Sequence, residues 1–276
     1  MIVSKSRGYA AIALAAAILC ASVDAANAAP VRNIVLVHGA WVDASGWKPV
    51  YEILTRDGYD VTMVQEPLTS LEDDVAATNR ILDLQSGPCI LVAHSYGGSV
   101  ITEAGVHPNV VGLVYVAAHA PDIGEDEGDL GRKMPSLTQK QAGAIKKTAD
   151  GFTFLDPTDF QRDFAVDLPI KQAEFESRSQ IPTAAKVFNS RMTAAAWKTK
   201  PSWAIVAEAD RIINPDLERM YYARAHSHTI ELKGASHSVY ESRPEEVAAL
   251  IELAAQHAMN QPEPSSGTVG TQDHHD

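Results

Sequence analysis

Residues 33–38 read N-I-V-L-V-H, a continuous apolar run that offers no polar face to water. A strand of that kind must be covered on both sides, which a parallel sheet layered between helices provides. Short apolar or β-branched stretches recur at 61–64, 89–93, 110–117, 203–207 and 229–232. Between them the apolar spacing changes to that of helices. It predicts helices over 45–57, 71–84, 97–107, 215–225 and 244–258. Trp47, Val50, Tyr51 and Leu54 share one side of the first, and Gly58 stands where a left-handed residue ends a helix. Pro215 fits the first turn of its helix, where no N–H is needed. This alternation predicts an α/β fold: a mostly parallel central sheet with helices on both faces.

The alternation breaks off at about Pro121 and resumes near 197. Residues 122–196 are mixed and charged, with breaks at Pro135, Pro157, Pro169 and Pro182. They are expected to form a helical cap inserted into a core made of 29–121 and 197–260. All six phenylalanines of the chain fall in this insertion, at 152, 154, 160, 164, 175 and 188. Most of them serve the cap's own core; one or two are expected to line an apolar pocket. Residues 261–276 are polar, rich in Pro, Ser and Gly, and expected to be disordered. His274 and His275 within them carry no metal reading.

Residues 1–28 have the layout of an export signal. Lys5 and Arg7 precede an apolar stretch from Tyr9 to Ala21, and Ala26-Asn27-Ala28 is a cleavage pattern. Cleavage after Ala28 is expected, with a periplasmic or secreted destination. The apolar core is too short for a membrane span. Cys20 leaves with the signal, so Cys89 is alone and no internal disulfide forms in the mature chain. The formal net charge is −12; loss of Lys5, Arg7 and Asp24 takes it to −13. An acidic chain without a basic stripe is not expected to bind nucleic acid or an anionic membrane surface.

Nucleophilic chemistry enters at 93–97. Ala93-His94-Ser95-Tyr96-Gly97 stands between a predicted strand and a predicted helix, the context of the strained turn that exposes a serine hydroxyl. That hydroxyl needs a base and a carboxylate behind the base. His237, in Gly234-Ala235-Ser236-His237-Ser238, lies in the loop after the last strand. Asp210 lies just past the strand 203–207. Asp216 competes but falls in the first turn of the next helix, where a carboxylate favours the helix N-terminus; Glu208 is the weaker rival. The order Ser95, Asp210, His237 is the one such a sheet uses. Two N–H groups must also meet the developing oxyanion. The backbone of Ala40, in His38-Gly39-Ala40-Trp41, and that of Tyr96 are the candidates.

On these residues the chain resembles the α/β-hydrolase fold, and within it the small capped branch that opens with V-L-V-H-G-A-W, matched in full by 35–41. That branch includes plant methylesterases, hydroxynitrile lyases and bacterial esterases of the pyrethroid-hydrolase type. The resemblance covers about 31–258 and implies Ser95 as nucleophile, His237 as base, Asp210 as acid, and Ala40 and Tyr96 as oxyanion donors. Ala93 departs from the first glycine of G-x-S-x-G, as members of that branch often do. The lyases carry threonine at the place of Gly39 and lysine at that of Ser238, so the resemblance favours hydrolysis.

The sequence therefore reads as a serine esterase for small to medium, largely apolar carboxylic esters, needing no metal or organic cofactor. Trp41 is expected in the substrate pocket, while His119 fits either the pocket or a surface loop. The alternatives are a C–C lyase on the same fold and a non-catalytic small-molecule binding protein.

Overall fold

The computed structural model describes residues 31–260. The expected export signal over 1–28, Cys20, and the tail over 261–276 with its two histidines lie outside the described residues.

The chain runs β1 (Asn33–Val37), α1 (Lys48–Arg56), β2 (Asp60–Met63), α2 (Leu71–Asp83), β3 (Cys89–Ser95), α3 (Gly97–Ala104) and β4 (Val110–Ala118). The insertion follows, with α4 (Glu127–Lys133), α5 (Leu137–Lys140), β5 (Ile145–Lys147), β6 (Phe152–Leu155), α6 (Phe160–Asp163), α7 (Ile170–Arg178) and β7 (Thr183–Ala184). The core resumes with β8 (Ser202–Ala207), α8 (Pro215–Arg224), β9 (His228–Leu232), α9 (Val239–Ser242) and α10 (Pro244–His257). Six strands pair in the order β2-β1-β3-β4-β8-β9, all parallel.

Strand alternation splits the core in two. Ile34, Leu36, Ile90, Val92, Val114, Val116 and Ile205 point to one face and pack with Trp47, Val50 and Leu54 of the α1 region, Tyr240 of α9, and Val247, Leu250 and Ile251 of α10. Val35, Val37, Leu91, Ala93, Leu113, Tyr115 and Val206 point to the other, against Leu71, Ala77 and Leu82 of α2, Val100 and Ile101 of α3, and Leu217 and Tyr221 of α8. Burying a side chain of this size contributes about 1.5–3 kcal/mol, and Cys89 is buried as one more such group on β3.

Several elements depart from the sequence reading. α1 is preceded by a 3-10 turn over Ala44–Trp47, capped by Asp43. α3 stops at Ala104, where the Gly105 N–H closes on the Ile101 carbonyl. The insertion is not purely helical: β5, β6 and β7 form a three-stranded antiparallel sheet. Strands of two to four residues are too short to show an apolar run, but the hairpin carried a signal. Asp150-Gly151 is a turn pair, Gly151 has φ +91°, and Phe152-Thr153-Phe154-Leu155 alternates in burial.

Candidate active site

β3 continues two residues past its expected end, to Ser95, because its pairing with β4 carries on through His94 and Ser95. The register slips between them, Ser95 pairing with Ala118, and the residue skipped, Ala117, has φ +44°. Ser95 itself has φ +56°. A non-glycine residue in this left-handed region carries a strain of about 1–3 kcal/mol; here the two-faced core holds it and the hydroxyl stands clear of the strand. The turn is tight enough to require glycines. A Cβ on Gly97 would come within 2.5 Å of the His38 carbonyl oxygen, and one on Gly39 within 2.6 Å of Ser95 Cβ.

Ser95 Oγ lies 2.8 Å from His237 Nε2, and His237 Nδ1 lies 2.6 Å from Asp210 Oδ2. Both imidazole and carboxylate are buried. Asp210 Oδ1 accepts from the backbone N–H groups of Ile212 (2.7 Å) and Ile213 (3.0 Å), so its carboxylate cannot rotate freely. Asp216 sits instead in the first turn of α8, bonded to Arg219. Glu208 accepts from the Gly234 N–H. Of the three carboxylates weighed from sequence, Asp210 alone meets His237.

The loop bearing His237 is held from two sides. His94 Nε2 donates to the His237 carbonyl at 2.9 Å, and burial keeps the His94 imidazole well below its ordinary pKa. From the insertion, Asp167 accepts from the Ser236 N–H at 3.0 Å, from the Ser236 hydroxyl, and from the Ser242 hydroxyl at 2.8 Å. Phe164 lies edge-on to the His237 ring, with centroids 4.7 Å apart. Beyond Asp210, Glu218 is fully buried. Its Oε2 accepts from the Ala207 N–H at 3.1 Å, and desolvation followed by the charge of Asp210 pushes its pKa well up.

The loop after β1 is pinned by His38, whose Nε2 accepts from the Glu66 N–H at 3.0 Å and whose Nδ1 therefore donates to the Gly39 carbonyl at 2.9 Å. Trp41, at φ +67°, is stapled to the insertion. Its backbone N–H donates to Thr183 Oγ1 at 3.0 Å and its indole N–H to Thr153 Oγ1 at 3.1 Å. Tyr96 donates to Asp74 Oδ2 at 2.7 Å; burial pushes the Asp74 carboxyl up to about 6.

A cavity of about 240 Å³ opens beside Ser95. Ala40, Tyr96, Trp41 and His119 line it, so every residue expected around the serine comes to the same place. Of the cap phenylalanines, Phe188 lines this cavity, its ring 5.7 Å from that of Trp41. Phe160 and Phe164 stack on each other inside the core, and Phe175 is exposed. A larger recess of about 620 Å³ lies between 197–202 and 224–228, where β8 and β9 begin; Ser95 is at the opposite end of the strands. Among the described residues no three His, Cys, Asp or Glu side chains gather to hold a metal ion, and no helix is long and apolar enough to cross a membrane.

Sequence reasoning missed Glu127, Asp167, Glu218, His38 and His94. Only His38 and His94 had a signal, since each flanks a residue already singled out.

Comparison with known proteins extends these observations. A pyrethroid hydrolase from Sphingobium faniae JZ-2 superposes with a TM-score of 0.68 at 22% identity, covering 84% of this chain and all of that one. Methylesterase MES16 from Arabidopsis gives a TM-score of 0.68 at 18% identity, covering 81% and 98% of the two chains. At such identities the likeness concerns the fold. A carbendazim hydrolyzing esterase from Nocardioides sp. (strain SG-4G) is 32% identical over 107 residues, 34% of this chain and 44% of that protein's length. The family model for the alpha/beta hydrolase family matches residues 34–250, most of the chain and every residue of the Ser95–His237–Asp210 series, and the chain belongs to that family.

Proposed function

We propose that the protein is a carboxylesterase-type serine hydrolase acting through an acyl-enzyme. The observation that carries this reading is the unbroken Asp210–His237–Ser95 chain of contacts, ending on a strained serine at a cavity. Asp210 fixes the tautomer in which Nδ1 carries the proton, leaving Nε2 free to accept that of Ser95. Ser95 Oγ attacks the ester carbonyl, and the Ala40 and Tyr96 N–H groups hold the oxyanion, worth about 10²–10³ in rate for each donor. His237 then protonates the departing alcohol. Water, deprotonated by the same Nε2, releases the acid and restores Ser95.

The cavity volume favours small acyl or alcohol groups. Hydrolysis of p-nitrophenyl esters from acetate to decanoate, by the protein and by Ser95→Ala, tests the reading. Activity that peaks on the short esters and vanishes in the variant supports it. An intact fold that cleaves no ester and takes no fluorophosphonate label at Ser95 overturns it in favour of ligand binding; labelling with cyanohydrin cleavage instead would make it a lyase. The export signal over 1–28 is part of the proposal: N-terminal sequencing of the protein recovered outside the cytoplasm should begin at Ala29.

A further inference from the structure

The cavity beside Ser95 is not the apolar slot that a phenylalanine-rich insertion leads one to expect. Trp41, Ile145, Phe188 and Ile212 give it apolar surface, but Glu127, His119 and Thr138 line it too. Glu127 is 5% exposed, with Oε1 accepting from the Ser99 hydroxyl at 2.5 Å and Oε2 standing 3.4 Å from His119 Nε2. His119 Nδ1 lies 3.2 Å from the Tyr221 hydroxyl. Thr138 is 2% exposed, and its Oγ1 has no hydrogen-bond partner. Interiors leave few such groups unpaired, and this one belongs to the lining of a cavity.

The ionisation states sharpen the chemistry. Burial pushes Glu127 up to about 8 and His119 down to about 3, so both are uncharged at neutral pH. A neutral carboxyl, a neutral imidazole and a hydroxyl each donate and accept hydrogen bonds. A ligand hydroxyl complements them, since it too does both; a methyl group would leave the Thr138 hydroxyl, alone of the three without a partner, unpaired. Arg132 and Lys147 also line the cavity and offer a rival, recognition of an anion. Arg132 is largely exposed and already paired with Asp129, and exposed charge is screened by salt.

We propose that the cavity selects esters bearing a hydroxyl group in their acyl or alcohol part, bound by Glu127, His119 and Thr138. The proposal rests on the ester-hydrolysis reading above and adds the substrate class.

Two sets of esters test it: methyl phenylacetates and benzyl acetates, each carrying a 4-hydroxyl, 4-methyl or 4-carboxylate group. In at least one set, kcat/KM for the hydroxyl ester should exceed that for the methyl ester by about tenfold or more, because a site built around a hydroxyl penalises its absence. In Thr138→Val, which keeps the shape, and in Glu127→Leu, that ratio should fall toward one, with the loss in KM rather than kcat. Should Glu127→Leu fail to fold, Thr138→Val carries the test with the wild-type ratio. A wild-type ratio near one in both sets, a ratio that survives the variants, or preference for the carboxylate would overturn the proposal. If the protein cleaves none of these esters, fluorophosphonate labelling separates the cases. A labelled Ser95 overturns the substrate class alone, and an unlabelled one overturns the esterase reading with it.

Discussion

The two sides of Ser95 are built differently. Behind it, Asp210 and His237 are buried; His237 is held through both ring nitrogens, and the backbone that carries them comes from the ends of parallel strands. In front of it, the cavity is walled mostly by the insertion, mixes apolar and polar surface, and leaves the Thr138 hydroxyl unpaired. Behind the serine, the contacts from Ser95 through His237 to Asp210 are complete without a ligand, as transition-state stabilisation demands of a preorganised site. The front is unfinished, as recognition demands of a site that a substrate completes. Rate should therefore be sensitive to changes behind the serine, and selectivity to changes in front of it.

The sharpest test of that division is Asp210→Asn. The amide keeps the shape but favours the wrong imidazole tautomer, so kcat should fall by about 10⁴ while KM stays nearly constant. A comparable change in KM would mean that the two sides are not separable. Asp167→Ala comes next in size and probes a place where the insertion reaches behind the serine. Its carboxylate anchors Ser236 and Ser242 on either side of His237. Losing it should cost about 1–3 kcal/mol in stability, because buried partners are left unpaired. The looser base should also lower kcat by about tenfold. Urea unfolding and steady-state kinetics on the same preparation measure both.

Stability against pH reads groups on both sides. Glu127 in the cavity is raised to about 8, so between its unfolded value and 8 the folded chain keeps a proton the unfolded chain has lost. That contribution to stability falls as pH rises through this window. His119 is lowered to about 3, so below its unfolded value the unfolded chain takes up a proton that the folded chain refuses, and stability falls as pH drops. Buried His38 and His94, also lowered, deepen the acid limb. The melting temperature should peak between about pH 5 and 6.5. Glu127→Gln, which cannot ionise, should make the alkaline limb shallower without removing it, because Glu66, Glu218 and Glu241 are raised as well. An unchanged limb in that variant would remove Glu127 as a contributor.

The same division decides what could be read from the sequence. The strand ends were legible because a fully buried strand announces itself as an apolar run, and a residue just beyond it lies at the sheet's edge. Ser95 and Asp210 stand in such a place, at the ends of β3 and β8; His237 lies in the loop after the exposed edge strand β9. Ala40 and Tyr96 follow from the same logic, and the structure brings both to the cavity with Ser95. The insertion has no such grammar. Its hairpin and short helices are set by contacts far along the chain, such as Trp41 with Thr183 and Thr153. Of six phenylalanines, nothing local says that Phe188 faces the cavity while Phe175 faces water. Glu127 was invisible for a related reason. In E-D-E-G-D it looks like one acid among several on a solvated turn, and only the fold buries it against Ser99 and His119.

The smallest expected effect concerns Glu218, behind the serine and out of reach of any ligand. Its carboxyl is fully buried beside Asp210, its Oε2 is occupied by the Ala207 N–H, and its Oε1 finds no ordinary donor. Two buried carboxyls in contact cannot both ionise. Burial, followed by the charge of Asp210, pushes the Glu218 pKa well up, so Glu218 keeps its proton. A neutral Glu218 then acts as a donor, a role that glutamine fills without a proton to lose. Glu218→Gln should keep kcat within about threefold of wild type at neutral pH, since an isosteric polar swap leaves the hydrogen-bond pattern intact. Glu218→Leu, which removes the donor and strands the Ala207 N–H, should lower stability by about 1–3 kcal/mol and move the downfield proton resonance of the His237–Asp210 bond. If instead the glutamine variant loses as much rate as Asp210→Asn, the carboxyl behind the acid is charged and takes part in the proton balance of the site, and the rear of the serine is not the finished structure that its hydrogen bonds describe.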